Sequence, residues 1–208
     1  MVLPLRHILS VAVSALVLMP CEGRGVAPVD SLLERVCPGA SQRILTEIRP
    51  SANDFFEISS AEGKPHIAGN SPVSVAAGLN HYLKYTAGVH LTHDNTRAAL
   101  PEVMPLPDST ERHDASTPLR YYMNYCTFSY SMPFASREEW QREIDWMALH
   151  GINLPLVAVG ASAVWQATLE RLGYTPDEAR AFVSGPAFRA WWLMNNLEGW
   201  GGPVSAIT

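Results

Sequence analysis

The stretch Arg120-Tyr-Tyr-Met-Asn-Tyr-Cys-Thr-Phe-Ser-Tyr130 constrains the fold most, because it reads as a strand and is followed by a capped helix and a second apolar strand. Ser136 with Glu139 three residues later makes a capping-box pattern, so a hydroxyl and a carboxylate satisfy the orphan N–H groups of a helix beginning at Arg137. Trp140, Ile144, Met147 and Ala148 fall at i, i+4, i+7 and i+8, which predicts one apolar stripe, and Gly151 ends the helix. The run Leu154-Pro-Leu-Val-Ala-Val159 is apolar without alternation, as suits a parallel strand covered on both faces. Strand, helix and strand predict a right-handed βαβ crossover, the opening unit of a barrel.

Four longer stretches carry a resemblance: RYYMNYCTFSYS (120–131), EIDWMALHGINLPL (143–156), GPAF (185–188) and WWLMNNLEGWGGP (191–203). Together they resemble, without a gap from Arg120 to Pro203, the start of the catalytic barrel of the α-N-acetylglucosaminidases, a family of retaining glycoside hydrolases. What precedes them is similar in pattern to that family's small N-terminal α/β domain. Residues 1–24 read as a signal peptide, and the resemblance implies an α/β architecture with an N-terminal α/β domain over 26–115 and the beginning of a (β/α)8 TIM barrel over 119–208. A complete barrel takes about 250 residues. Only 89 of the 208 remain from Arg120 onward, so the expectation is a fragment of a longer enzyme.

The first residues have the three parts of an export signal: Arg6 and His7, an apolar run from Ile8 to Met19, then small and polar residues from Glu22. That run is shorter than the roughly 20 residues needed to cross a bilayer, so no membrane span is expected. The product would be periplasmic or extracellular, or lysosomal in a eukaryote. Leu18-Met-Pro-Cys21 leaves open a lipid anchor on Cys21, although Pro20 is a poor neighbour for lipoprotein processing. Cys37 can pair with Cys21 only if processing leaves both. The net charge of −5, with no Lys/Arg run, offers no cationic face to nucleic acid.

Within the first domain, Leu32, Leu33 and Val36 suggest a short helix, and a strand follows around residues 43–48. Two more strands, 55–59 and 64–68, flank a turn at Glu62-Gly63. Ser71 caps a helix with Pro72 at its first position, running to about Tyr85. The proline-bearing stretch 97–118 reads as a linker or an extended connecting strand. Beyond the second barrel strand, helices are expected from Ala163 to Arg171, from Thr175-Pro-Asp-Glu178, and through Trp191 to Asn196. This helical insertion would lie on the face where barrel enzymes keep their sites.

Asn124 and Cys126 stand two apart near the end of the first barrel strand, so strand alternation points both to one side. By residue type alone they are either pocket residues, an amide and a small thiol suited to sugar hydroxyls, or interior packing. The resemblance implies that this Asn-x-Cys lines the subsite for a terminal N-acetylglucosamine. Trp191 and Met194, three apart, share one helix face that is either core or the wall for a sugar ring. The resemblance favours the pocket wall, and leaves Trp146, Trp192 and Trp200 as packing.

The carboxylates of Glu138, Glu139, Glu143 and Asp145 fall on the first barrel helix, where solvated or capping roles are expected. Glu170, Asp177, Glu178 and Glu198 show no paired strand-end geometry. The resemblance places both catalytic glutamates on later strands and implies no metal or organic cofactor. The histidines read as structural, and no Cys/His pair has metal-ligand spacing. Gly160-Ala-Ser-Ala-Val-Trp165 lacks the acid or amide common in that family, which leaves finer substrate preference open. Two functions follow: an exported hydrolase acting on glycans with terminal α-linked N-acetylglucosamine, or a non-catalytic carbohydrate-binding or interaction module derived from it.

Overall fold

The computed structural model describes residues 27–156, 160–183 and 185. Helix α1 (Ala27–Val36) and a 3-10 turn (Ala40–Gln42) lead into a four-stranded sheet. Its strands are β1 (Leu45–Ile48), β2 (Phe55–Ala61), β3 (Lys64–Gly69) and β4 (Glu111–Asp114), in the order β1-β3-β2-β4. β1 runs parallel to β3, and the other pairs are antiparallel. The β2–β3 hairpin closes with Ala61 opposite Lys64. Its two loop residues, Glu62 (φ 54) and Gly63 (φ 71), both take the left-handed conformation that a two-residue hairpin favours.

Helix α2 (Pro72–Tyr85) starts as its sequence dictates, with the Ser71 hydroxyl accepting from Ser74 N and Pro72 in the first turn. It packs so closely on the sheet that a Cβ at Gly78 would lie 2.8 Å from Phe56 Cβ, and only glycine fits there. Leu33, Ile58, Ile67, Leu79, Tyr82 and Leu83 form the centre of the core between α1, α2 and the sheet.

The proline-bearing stretch is bound to this domain rather than trailing from it. Leu100 and Met104 pack against the core, and the buried Tyr82 hydroxyl donates to Pro105 O at 2.7 Å. Residues 111–114 then form β4, pairing Phe55 with Asp114 and Ile58 with Glu111 at the sheet edge.

The barrel opening is a parallel pair, β5 (Tyr121–Tyr122) and β6 (Leu154–Pro155), with Tyr121 opposite Leu154. Between them lie α3 (Tyr125–Tyr130) and α4 (Arg137–Leu149), the latter with the full Ser136–Glu139 capping box. Two expectations change here. The first strand does not run to Tyr130; it ends at Tyr122, and α3 replaces its second half. The apolar stripe of α4 is also not single. Met147 and Trp140 pack with Met123 and Phe128, whereas Leu149 and Ala148 join the core of the first domain. Ile144 is left 52% exposed. Wedged between two bodies, α4 buries two narrow faces instead of one wide one.

Beyond β6, α5 (Ala161–Arg171) and α6 (Pro176–Phe182) form a hairpin closed on Leu169, Ala179 and Val183, with a second capping box from Thr175 and Glu178. Among the described residues, no helix is long and apolar enough to cross a membrane. The segment expected as a signal, Cys21, residues 157–159 of the expected second strand, Trp191 and Met194 lie outside the described residues.

Candidate functional site at the barrel strand ends

Met123 turns the chain out of β5 with φ 74, a left-handed conformation that non-glycine residues seldom adopt. Its side chain is buried with Phe128 and Met147, and that packing holds the turn in place. The turn sets Asn124 as the N-cap of α3, its Oδ1 accepting from Thr127 N at 3.1 Å. Cys126 follows in the first turn and is exposed. Both residues therefore stand at the C-terminal end of β5, the end on which barrel sites are built. Strand alternation does not place them there, because the chain is helical from Tyr125. The cap engages Oδ1, and the remaining polar group of Asn124 is its NH2, two donors.

Beside α3 opens a groove of about 960 Å³, lined in part by His93, Tyr122, Tyr130, Arg142 and Glu143. Glu143 overturns the expectation of a solvated acid. Only 7% of its side chain is exposed, and its Oε2 lies 2.9 Å from His93 Nε2. Tyr122 hydrogen-bonds the same carboxylate; burial first, then the Glu143 charge and this bond, push the phenol above its ordinary range. Trp146 closes the group, edge-on to His93 and tilted against Tyr122 with both ring pairs 5.3 Å apart. Sequence could not join His93 to Glu143, 50 positions apart.

Asp145 is likewise buried, bound by Arg35 of α1. On the helices, Glu139 and Glu178 serve in capping boxes, Glu170 accepts from Gln166 and Asp177 pairs with Arg180, while Glu138 is exposed. A second junction fixes β5 itself. The Arg120 guanidinium reaches Asp54 and the carbonyls of Thr117 and Gly151, while Asn153 accepts from Arg120 N at 2.9 Å and donates to Pro118 O at 2.8 Å.

Among the described residues, one trio of metal-ligating side chains converges: His81, Glu111 and His113, between α2 and β4. The signal for it was the strand spacing Glu111-x-His113, which sets both on one face. The third member is 30 positions away.

Residues 27–107 match the family model of the alpha-N-acetylglucosaminidase (NAGLU) N-terminal domain, and residues 120–207 match that of the alpha-N-acetylglucosaminidase (NAGLU) tim-barrel domain. The chain belongs to the alpha-N-acetylglucosaminidase family. Human alpha-N-acetylglucosaminidase is 38% identical over 192 residues, which cover 88% of this chain and 26% of the human protein. A family 89 glycoside hydrolase from Clostridium perfringens, solved in complex with PUGNAc, superposes with a TM-score of 0.77 at 36% identity, over 86% of this chain and 21% of that one. A variant of the same organism's enzyme in complex with its substrate GlcNAc-alpha-1,4-galactose gives 0.78 at the same identity and coverage. The alpha-N-acetylglucosaminidase fold thus accounts for both bodies, a small α/β domain and the start of a TIM barrel. The chain spans about a quarter of the human relative and about a fifth of the bacterial one.

Proposed function

We propose that this chain is the N-terminal part of an exported glycoside hydrolase that removes terminal α-linked N-acetylglucosamine from glycans with retention of configuration. The observation that carries the reading is Asn124, presented by the left-handed turn at Met123 at the C-terminal end of the first barrel strand in a chain of this family. Retaining hydrolysis needs a carboxylate nucleophile and a carboxylic acid about 5 Å apart across the scissile bond. Glu139 and Glu178 are bound in caps, and Asp145 and Glu143 are buried against Arg35 and His93, which favours a catalytic pair contributed by strands beyond Thr208. In this reading Asn124 and Cys126 border the terminal sugar, Asn124 through its amide donors, and Trp191 with Met194 supplies the apolar wall against the ring and acetamido methyl. No cofactor takes part in the chemistry.

Export follows from the segment 1–24, either with cleavage or with a lipid on Cys21. Two comparisons test the proposal. Expressed alone, the 208-residue chain should be poorly soluble and inactive on an aryl α-N-acetylglucosaminide, because a two-stranded barrel opening leaves strand edges uncovered. The complete reading frame should hydrolyse it. A soluble, active 208-residue protein would sink the placement of the catalytic pair. In the complete reading frame, Trp191→Ala should cost turnover, whereas Trp146→Ala should cost about 3 kcal/mol of stability through lost packing.

A further inference from the structure

We propose that His81, Glu111 and His113 form a binding site for a divalent transition-metal ion, with zinc the ion that suits the donor set. This goes beyond the glycosidase reading, which calls for no metal. His81 stands on α2, while Glu111 and His113 alternate onto one face of the edge strand β4. One ligand atom from each residue falls within 4.8 Å of the other two. Tetrahedral zinc with ligands at about 2.0–2.1 Å sets those ligands roughly 3.3 Å apart. His81 Nε2 is already 3.4 Å from Glu111 Oε1, and His113 Nε2 contacts the same oxygen. To share an ion His113 Nε2 must draw back from that oxygen, and no pair of the three ligand atoms is more than 4.8 Å apart.

Two imidazoles, borderline donors, with one carboxylate oxygen make a set that zinc takes, and it leaves positions for water. The rings are also held in orientation. His113 stacks on Phe56 with centroids 4.8 Å apart, and His81 lies against Tyr85 and His113 at 4.6 Å each. Side-chain exposures of 23% for His81, 39% for His113 and 48% for Glu111 give an ion a path from solvent. A bound ion would clip β4, the strand at the sheet edge, to the helix behind it. That would protect an edge which otherwise presents unpaired backbone groups.

The test is zinc titration of the complete reading frame, free of any histidine tag and stripped with chelator, read against a chromophoric competitor and by thermal melting. One equivalent should bind and raise the melting temperature, since the folded state alone holds the three ligands together. His113→Ala and Glu111→Gln should each weaken binding by about tenfold or more, at least the cost of losing an outer-shell partner. His90→Ala, at an exposed histidine that is not one of the three converging ligands, should leave binding unchanged. Should His113→Ala fail to fold, Glu111→Gln at its exposed edge position carries the same comparison. The proposal is overturned if the wild-type protein takes up no zinc, or if the variants bind as well as wild type. The trio would then be two imidazoles hydrogen-bonded to one carboxylate.

Discussion

Arg35 and Asp145, 110 residues apart in sequence, join α1 to α4 through two parallel hydrogen bonds: Nε donates to Oδ2 at 2.7 Å and Nη2 to Oδ1 at 2.6 Å. The two partners are unequal, because the Asp145 side chain is 6% exposed and that of Arg35 is 40% exposed. Removing the arginine strands a carboxylate out of water. Removing the acid leaves a guanidinium that can turn into solvent. Arg35→Ala should therefore destabilise by about 2–3 kcal/mol, less than a fully buried pair would lose because Arg35 is part-exposed, and Asp145→Ala by less still. Thermal melting of both variants in the complete reading frame checks the order. An Arg35→Ala protein that melts with wild type would show that the pair does not hold the two bodies together.

This pair also marks where sequence ceased to be informative. The caps at Ser71, Ser136 and Thr175 and the turn at Glu62-Gly63 were legible because each is settled within four residues by local hydrogen bonds and backbone preference. The roles of Glu143 and Asp145 were not, since burial depends on His93 and Arg35, which only the tertiary fold brings near. At Asn124 the local reading failed for a different reason. Tyr121 to Tyr130 has strand composition, but the packing of Met123 and Phe128 on Met147 supports a turn and a short helix that propensity alone would not select.

The junction at Asp54 should respond to acid. Hydrogen bonds from Arg120 first, then from Asn70, hold the Asp54 carboxyl below its ordinary 3.8. A carboxyl lowered in the folded state stabilises above its unfolded value, and that contribution is lost as pH falls through the folded value. The melting temperature of wild type should thus fall more steeply below about pH 3.8 than that of Asp54→Asn, which has no such proton to take up. Parallel curves for the two proteins in that window would remove Asp54 from the acid response.

Tyr82 gives the opposite limb. Burial pushes its hydroxyl from 10.0 up to about 12. An unfolded tyrosine ionises first, so the stability it contributes is present below pH 10 and lost as pH rises toward about 12. Tyr82→Phe should lose about 1 kcal/mol at neutral pH with the bond to Pro105, yet show a shallower decline at high pH. Chemical denaturation at pH 7 and pH 11 measures both effects. A variant as stable as wild type at neutral pH would mean that the proline-bearing stretch does not depend on this bond.

Asn124 is asked to do two things at once, and its substitutions can separate them. As N-cap it accepts from Thr127 N through Oδ1. As a sugar contact it would donate through Nδ2. Asn124→Ala loses both, so it should cost about 1 kcal/mol of stability along with turnover. Asn124→Ser keeps a capping oxygen but has no amide donors. It should melt close to wild type and still lose about tenfold or more in kcat/KM, the scale of one hydrogen bond strengthened in the transition state. Measuring kcat/KM on an aryl α-N-acetylglucosaminide beside the melting temperature distinguishes the roles. If Asn124→Ser restores both stability and turnover, the residue is a helix cap alone, and the sugar subsite must be sought on the strands that follow.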